Sequence, residues 1–166
     1  MMTDILTEDD IYDIHGFNPL DQHLTLDDIR LARKVPIVVS YELIDLEVTN
    51  YHFSQSFTPQ DALKYFERMK EMACRSIDEI IDISDHTWHF NESCFKGNLK
   101  NELMKLIPGC EKDPPIVFHF ALYTDPSGAD RGLGRRSPRI YFMLSRNGLI
   151  LPLFFDPFHE LNPTTY

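Results

Sequence analysis

The chain has 166 residues, 43% of them hydrophobic, and a formal charge of -10 at neutral pH. That length supplies one well-buried core and is too short for two full domains, so residues 1–166 are expected to form a single domain. A surface this acidic repels phosphate over about 8 Å in physiological salt, which disfavours nonspecific nucleic-acid binding unless basic residues cluster locally.

Residues 1–24 form an acidic arm. Asp4, Glu8, Asp9, Asp10, Asp13 and Asp21 meet no base there and are interspersed with Ile11, Tyr12, Ile14 and Phe17. The arm is either a solvated segment anchored by its few apolar residues or an acidic strip that covers a basic site. Its opening residues are acidic where a secretory signal is basic, and no apolar run reaches the roughly 18 residues that span a bilayer. Cys74, Cys94 and Cys110 are odd in number and lack CxxC spacing, the usage of reduced thiols. The expectation is a soluble, cytoplasmic protein without membrane association.

Thr25 to Lys34 predicts a short helix, with Thr25 as N-cap, Asp27 and Asp28 in the first turn and Arg30, Arg33 and Lys34 towards the end. From Pro36, Ile37-Val38-Val39 followed by Tyr41, Leu43, Ile44, Leu46 and Val48 predicts a long strand with a bulge or kink between Leu43 and Ile44. Thr58-Pro59-Gln60-Asp61 opens a long helix, whose apolar stripe runs from Ala62 through Tyr65, Phe66, Met69, Met72, Ile77 and Ile80 to Ile81. Asp85 to Phe90 reads as a short extended piece. Its His86 and His89 lack the further ligands and the helical context of a metal pair, so no metal and no cofactor is expected.

Asn98 to Ile107 predicts a second helix, stopped by Pro108-Gly109. Ile116 to Tyr123 is an almost wholly apolar strand, in which His119 reads as a hydrogen-bonded strand histidine. Residues 125–138 (DPSGADRGLGRRSP) are a loop, and residues 139–145 and 149–155 pair as a hairpin about Asn147-Gly148, two residues that accept positive φ. Pro152 has no amide to donate and demands an edge or a bulge. The order of elements predicts an α+β fold: a mainly antiparallel sheet with a C-terminal β-hairpin packed against two or three helices.

Chemistry concentrates at the two ends of that hairpin. Arg131, Arg135, Arg136 and Arg139 lead into it, with Arg146 at its turn. Such forks bind phosphate bidentately, and glycines 128, 132 and 134 allow close backbone approach; the same arginines can instead pair with the acidic arm. Gly132-Leu133-Gly134 fits neither a dinucleotide fingerprint nor a phosphate loop, because it leads into a strand. At the exit, Asp156 and His159 form a carboxylate–imidazole pair suited to acid–base work near neutral pH, while DPFH also serves as a plain turn.

The succession FKGNLKNELMKLI, a strand, the arginine-led PRIYFML, a tight turn and a final strand ending near a histidine resembles the RelE/HigB-like toxin ribonucleases of bacterial toxin–antitoxin systems. The resemblance covers roughly the C-terminal half. It implies a bacterial or phage protein that cleaves RNA without a metal, with Arg139 on phosphate, His159 as acid–base group and Asp156 orienting it. Arg131, Arg135 and Arg136 would add nucleic-acid contacts. That superfamily is about half this length and basic, so the N-terminal third has no counterpart in it. The charge balance suggests an alternative: a non-catalytic acidic inhibitor or immunity-type factor that binds a basic protein partner.

Overall fold

The computed structural model describes residues 24–84, 89–123 and 138–162. Five strands form one sheet: β1 (Val38–Val39), β2 (Asn91–Ser93), β3 (Val117–Ala121), β4 (Arg139–Leu144) and β5 (Leu149–Asp156), in the spatial order β1-β5-β4-β3-β2. The ladders β2/β3, β3/β4 and β4/β5 are antiparallel, and β1 lies parallel to β5 through Val38↔Leu149 and Val39↔Ile150. With helices α1 (Leu26–Ala32), α2 (Pro59–Met72), α3 (Ile77–Ser84) and α4 (Gly97–Leu106) among the described residues, the chain is α+β as its sequence predicts.

Alternation along β4 divides the core between the two faces of the sheet. Ile140, Phe142 and Leu144 pack with Phe118, Phe120, Tyr65, Met72, Ile77 and Ile80 on the side of α2 and α3. Tyr141 and Met143 pack with Val117, Leu151, Leu153, Leu99 and Leu103 on the side of α4. Phe53 and Phe57 close the first core, with ring centroids 6.1 and 5.0 Å from Phe155.

Local signals explain the helix starts. Thr25 and Thr58 both form capping boxes, with Asp28 and Asp61 as their third-position partners. Asp61 is fully buried and also accepts the Tyr123 hydroxyl at 2.7 Å, which ties the first turn of α2 to the chain leaving β3.

Two predicted elements differ. The single long helix from Thr58 to Ile81 is two helices, interrupted at Ala73 to Ser76 with Cys74 at φ 65°. The Ser76 amide donates to Glu79 Oε2 at 2.7 Å and the Glu79 amide to Ser76 Oγ at 3.3 Å, so a fresh cap outcompetes continuation. The long strand after Pro36 is only two residues. Buried Asp45 accepts the amides of Glu47, Val48 and Thr49 at 3.0, 2.7 and 3.0 Å, which folds the chain into a loop.

The C-terminal hairpin forms as expected. Asn147 at φ 54° and Gly148 at φ 73° supply the positive values, and the Leu149 amide donates to the Arg146 carbonyl. Pro152 sits at a register shift: Phe142 pairs with Pro152 and Tyr141 with Phe154. Beyond Ile150, β5 is bordered by the Asp45 loop, which receives and donates main-chain bonds through Asp45 N to Leu153 O and Phe155 N to Tyr51 O. No helix among the described residues is long and apolar enough to cross a membrane.

Candidate functional site

The α4-covered face of the sheet is graded. Near the hairpin turn it is apolar, with Met143 and Leu151 under Leu103 and Ile107. Towards the start of β4 the same parity brings up Tyr141 and Arg139, with His119 opposite Tyr141 and Asp156 opposite Arg139. All four are buried, so this end of the face is polar where the end near the hairpin turn is apolar.

Asp156 is fully buried and holds the chain that leaves β5. Its carboxylate accepts the Phe158 amide at 3.1 Å and the Leu161 amide at 2.7 Å. The first turn of α4 pins the same segment from below: the Leu99 amide donates to Leu161 O at 3.2 Å and Asn98 Nδ2 to Glu160 O at 3.1 Å. His159 rides on this turn, half-buried and at φ 57°, with its ring centroid 6.0 Å from that of His119. Asp156 thus acts on His159 through the backbone that carries it.

His119 is fixed on the other side. Its Nδ1 lies 2.7 Å from Ser93 Oγ on β2, and its ring centroid lies 5.2 Å from that of Tyr141. Burial, reinforced by the positive charge of Arg139 and by His159 and His89, pushes its pKa down to about 3, so the ring is neutral. Burial raises the Asp156 carboxyl above the usual range against the pull of its main-chain hydrogen bonds. The Tyr141 hydroxyl is raised by burial first and then by Asp156. Nearby, Tyr51 is pushed up to about 12 by burial and by Asp156, Glu160 and Glu102.

The predicted site residues therefore fall into three groups. Arg139, Asp156 and His159 gather at one end of the hairpin. Arg131, Arg135 and Arg136 lie outside the described residues, as does His86. Arg146, at the far end of the hairpin, pairs with Asp28 of α1 at 3.6 Å. A cavity of about 190 Å³ also lies at that far end, lined by Ile29, Ile107, Cys110, Ile116, Met143 and Ser145 among others, remote from the polar cluster. Among the described residues no group of three or more His, Cys, Asp and Glu is arranged around a metal position.

His119, Tyr141 and Ser93 join the cluster without having been singled out as site residues in the sequence. The one signal for His119 was a histidine inside an otherwise apolar strand. Its meaning depends on the β3/β4 register, which a single sequence does not display. Comparisons with protein-family models, with curated proteins and with solved structures give no match.

Proposed function

We propose that the protein cleaves RNA by metal-independent transfer of the phosphodiester to its 2′-hydroxyl, at the polar end of the α4-covered face. One observation carries this reading: Arg139 and Asp156 are register partners, and the turn that Asp156 holds carries His159. Arg139 would supply a charge clamp for the phosphorane-like state and the half-buried imidazole of His159 the proton exchange that the reaction needs. Asp156 keeps the imidazole at its place by fixing the backbone of the turn. The resemblance of the C-terminal half to toxin ribonucleases points the same way.

The test is cleavage of RNA by the purified chain in the presence of a chelator. Wild type should cut, His159→Ala should lose about 100-fold or more, and Arg139→Ala should lose a comparable factor once melting has shown it to be folded. Equal cleavage by wild type and the His159→Ala/Arg139→Ala double variant would sink the proposal. The formal charge of -10 favours a second reading, a non-catalytic binder of a basic protein. Recovery of one stoichiometric basic partner by a chain without nuclease activity would establish it.

A further inference from the structure

We infer that His119 is a second catalytic imidazole of this site, the general base that takes the proton of the attacking 2′-hydroxyl, while His159 is the acid. The inference rests on the proposed ribonuclease reading and adds to it a residue and a division of labour.

Geometry carries it. His119 is 7% exposed and Ser93 6%, so their 2.7 Å contact is a buried, fixed hydrogen bond. It engages Nδ1, so proton transfer at this ring would run through its other nitrogen, Nε2. When Nδ1–H donates to Ser93 Oγ, the lone pair of the neutral ring is on Nε2. The ring stands 5.2 Å from Tyr141 and 6.0 Å from His159, on the strand face that also carries Arg139. Two imidazoles thus stand close together, one buried and anchored on β3, the other half-buried on the turn after β5.

The surroundings of His119 suit the state in which a general base must start, the neutral ring. Burial above all, and then the basic groups Arg139, His159 and His89, keep His119 unprotonated. An incoming phosphodiester brings negative charge that offsets this repulsion as the ring takes up its proton. In the step, the 2′-O–H bond breaks and its proton passes to His119 Nε2 while the 2′-oxygen bonds to phosphorus. The P–O5′ bond breaks, and the leaving oxygen takes a proton from protonated His159. The products are a 2′,3′-cyclic phosphate and a 5′-hydroxyl, and exchange with solvent resets both rings.

Two measurements on the full chain test this. The first is the ¹⁵N spectrum of His119, which should show the neutral Nδ1–H tautomer; the Nε2–H tautomer overturns the inference whatever the activity. The second is kcat and KM on an RNA dinucleotide with chelator present. His119→Gln should lower kcat about 100-fold or more with little change in KM, and wild-type kcat in a folded His119→Gln protein overturns the inference. If that variant does not fold, Ser93→Ala decides. Freeing the ring from its anchor should lower kcat about tenfold and disturb the tautomer, and an unchanged kcat counts against His119. A wild-type chain that cleaves no RNA removes the ribonuclease reading and this inference together, whereas an active wild type with an equally active His119→Gln removes the inference alone.

Discussion

Arg139 and Asp156 face each other at the last position of the β4/β5 ladder, both buried, with Asp156 fully withdrawn from solvent. The carboxylate spends its hydrogen bonds on the amides of Phe158 and Leu161, so the end of the central hairpin and the turn bearing His159 form one unit. A substitution at Asp156 therefore reports on both fold and site.

Asp156→Ala should destabilise the protein by about 2 kcal/mol or more, because a buried amide left without an acceptor costs about 1–3 kcal/mol. Asp156→Asn should cost less, keeping one acceptor. The pH dependence has a definite sign. Burial raises the folded pKa of Asp156 above its ordinary value of 3.8, so the folded state binds the proton more tightly than the unfolded state does. Stability contributed by this group is greatest below about pH 4 and declines as pH rises through the folded pKa. In urea unfolding, the advantage of wild type over Asp156→Asn should shrink from about pH 4 upwards; an advantage that grows with pH contradicts the assigned direction.

Gly148→Ala and Gly109→Ala form a matched pair. Both glycines have positive φ, 73° and 88°, so each alanine pays the cost of left-handed backbone, about 1–2 kcal/mol. A Cβ at Gly109 meets nothing within 4 Å, whereas one at Gly148 would lie 2.7 Å from the Pro36 carbonyl oxygen and 2.8 Å from Val35 Cγ2. Gly148→Ala should exceed its partner by roughly 1–3 kcal/mol, the range of overpacking. Denaturant unfolding measures the difference, and equal losses would show that the chain at Val35-Pro36 yields freely.

These contacts also show what a single sequence displays. Thr25-x-x-Asp28 and Thr58-x-x-Asp61 announce their helices because a capping box is local. Asn147-Gly148 announces the hairpin for the same reason, and with it the pairing of Arg139 and Asp156 at its open end. Ser76-x-x-Glu79 is just as local a cap, yet it is masked by apolar spacing that runs unbroken from Tyr65 to Ile81. The strand expected through Leu43 to Val48 has suitable residues but turns on Asp45, whose burial is decided by tertiary contacts such as its amide to Leu153 O. His119 is the same case within the site, since only the register of β3 on β4 places it beside Tyr141 and within reach of His159.

Asp45→Ala should be among the most damaging single changes outside the apolar core. The carboxylate accepts three amides and the Thr49 hydroxyl at 2.5 Å while fully buried. Hydrogen bonds to a charged group are worth about 1.5–3 kcal/mol each, and the loss should be about 3 kcal/mol or more even after solvent repays part of it. Amide exchange at Val48 and Thr49 should accelerate before the rest of the protein opens, because these donors lose their acceptor directly. Uniform acceleration across the sheet would mean instead that the Asp45 loop and the sheet open as one cooperative unit.

Tyr141→Phe sets stability against chemistry. Among the described residues the buried Tyr141 hydroxyl makes no full hydrogen bond, and the Asn162 backbone lowers the pKa that burial raises. An unsatisfied buried hydroxyl costs about 1–3 kcal/mol, so replacing it with hydrogen should leave stability unchanged or raise it by about 1 kcal/mol. The ring of this residue lies 5.2 Å from that of His119, and its hydroxyl feels the charges of Asp156 and Arg139. Tyr141→Phe should accordingly melt at the same or a higher temperature and, on the proposed ribonuclease reading, lose about tenfold or more in RNA cleavage through altered electrostatics around His119. A variant that is less stable would show that the hydroxyl already has a structural partner, and one that is equally active would confine Tyr141 to packing under α4.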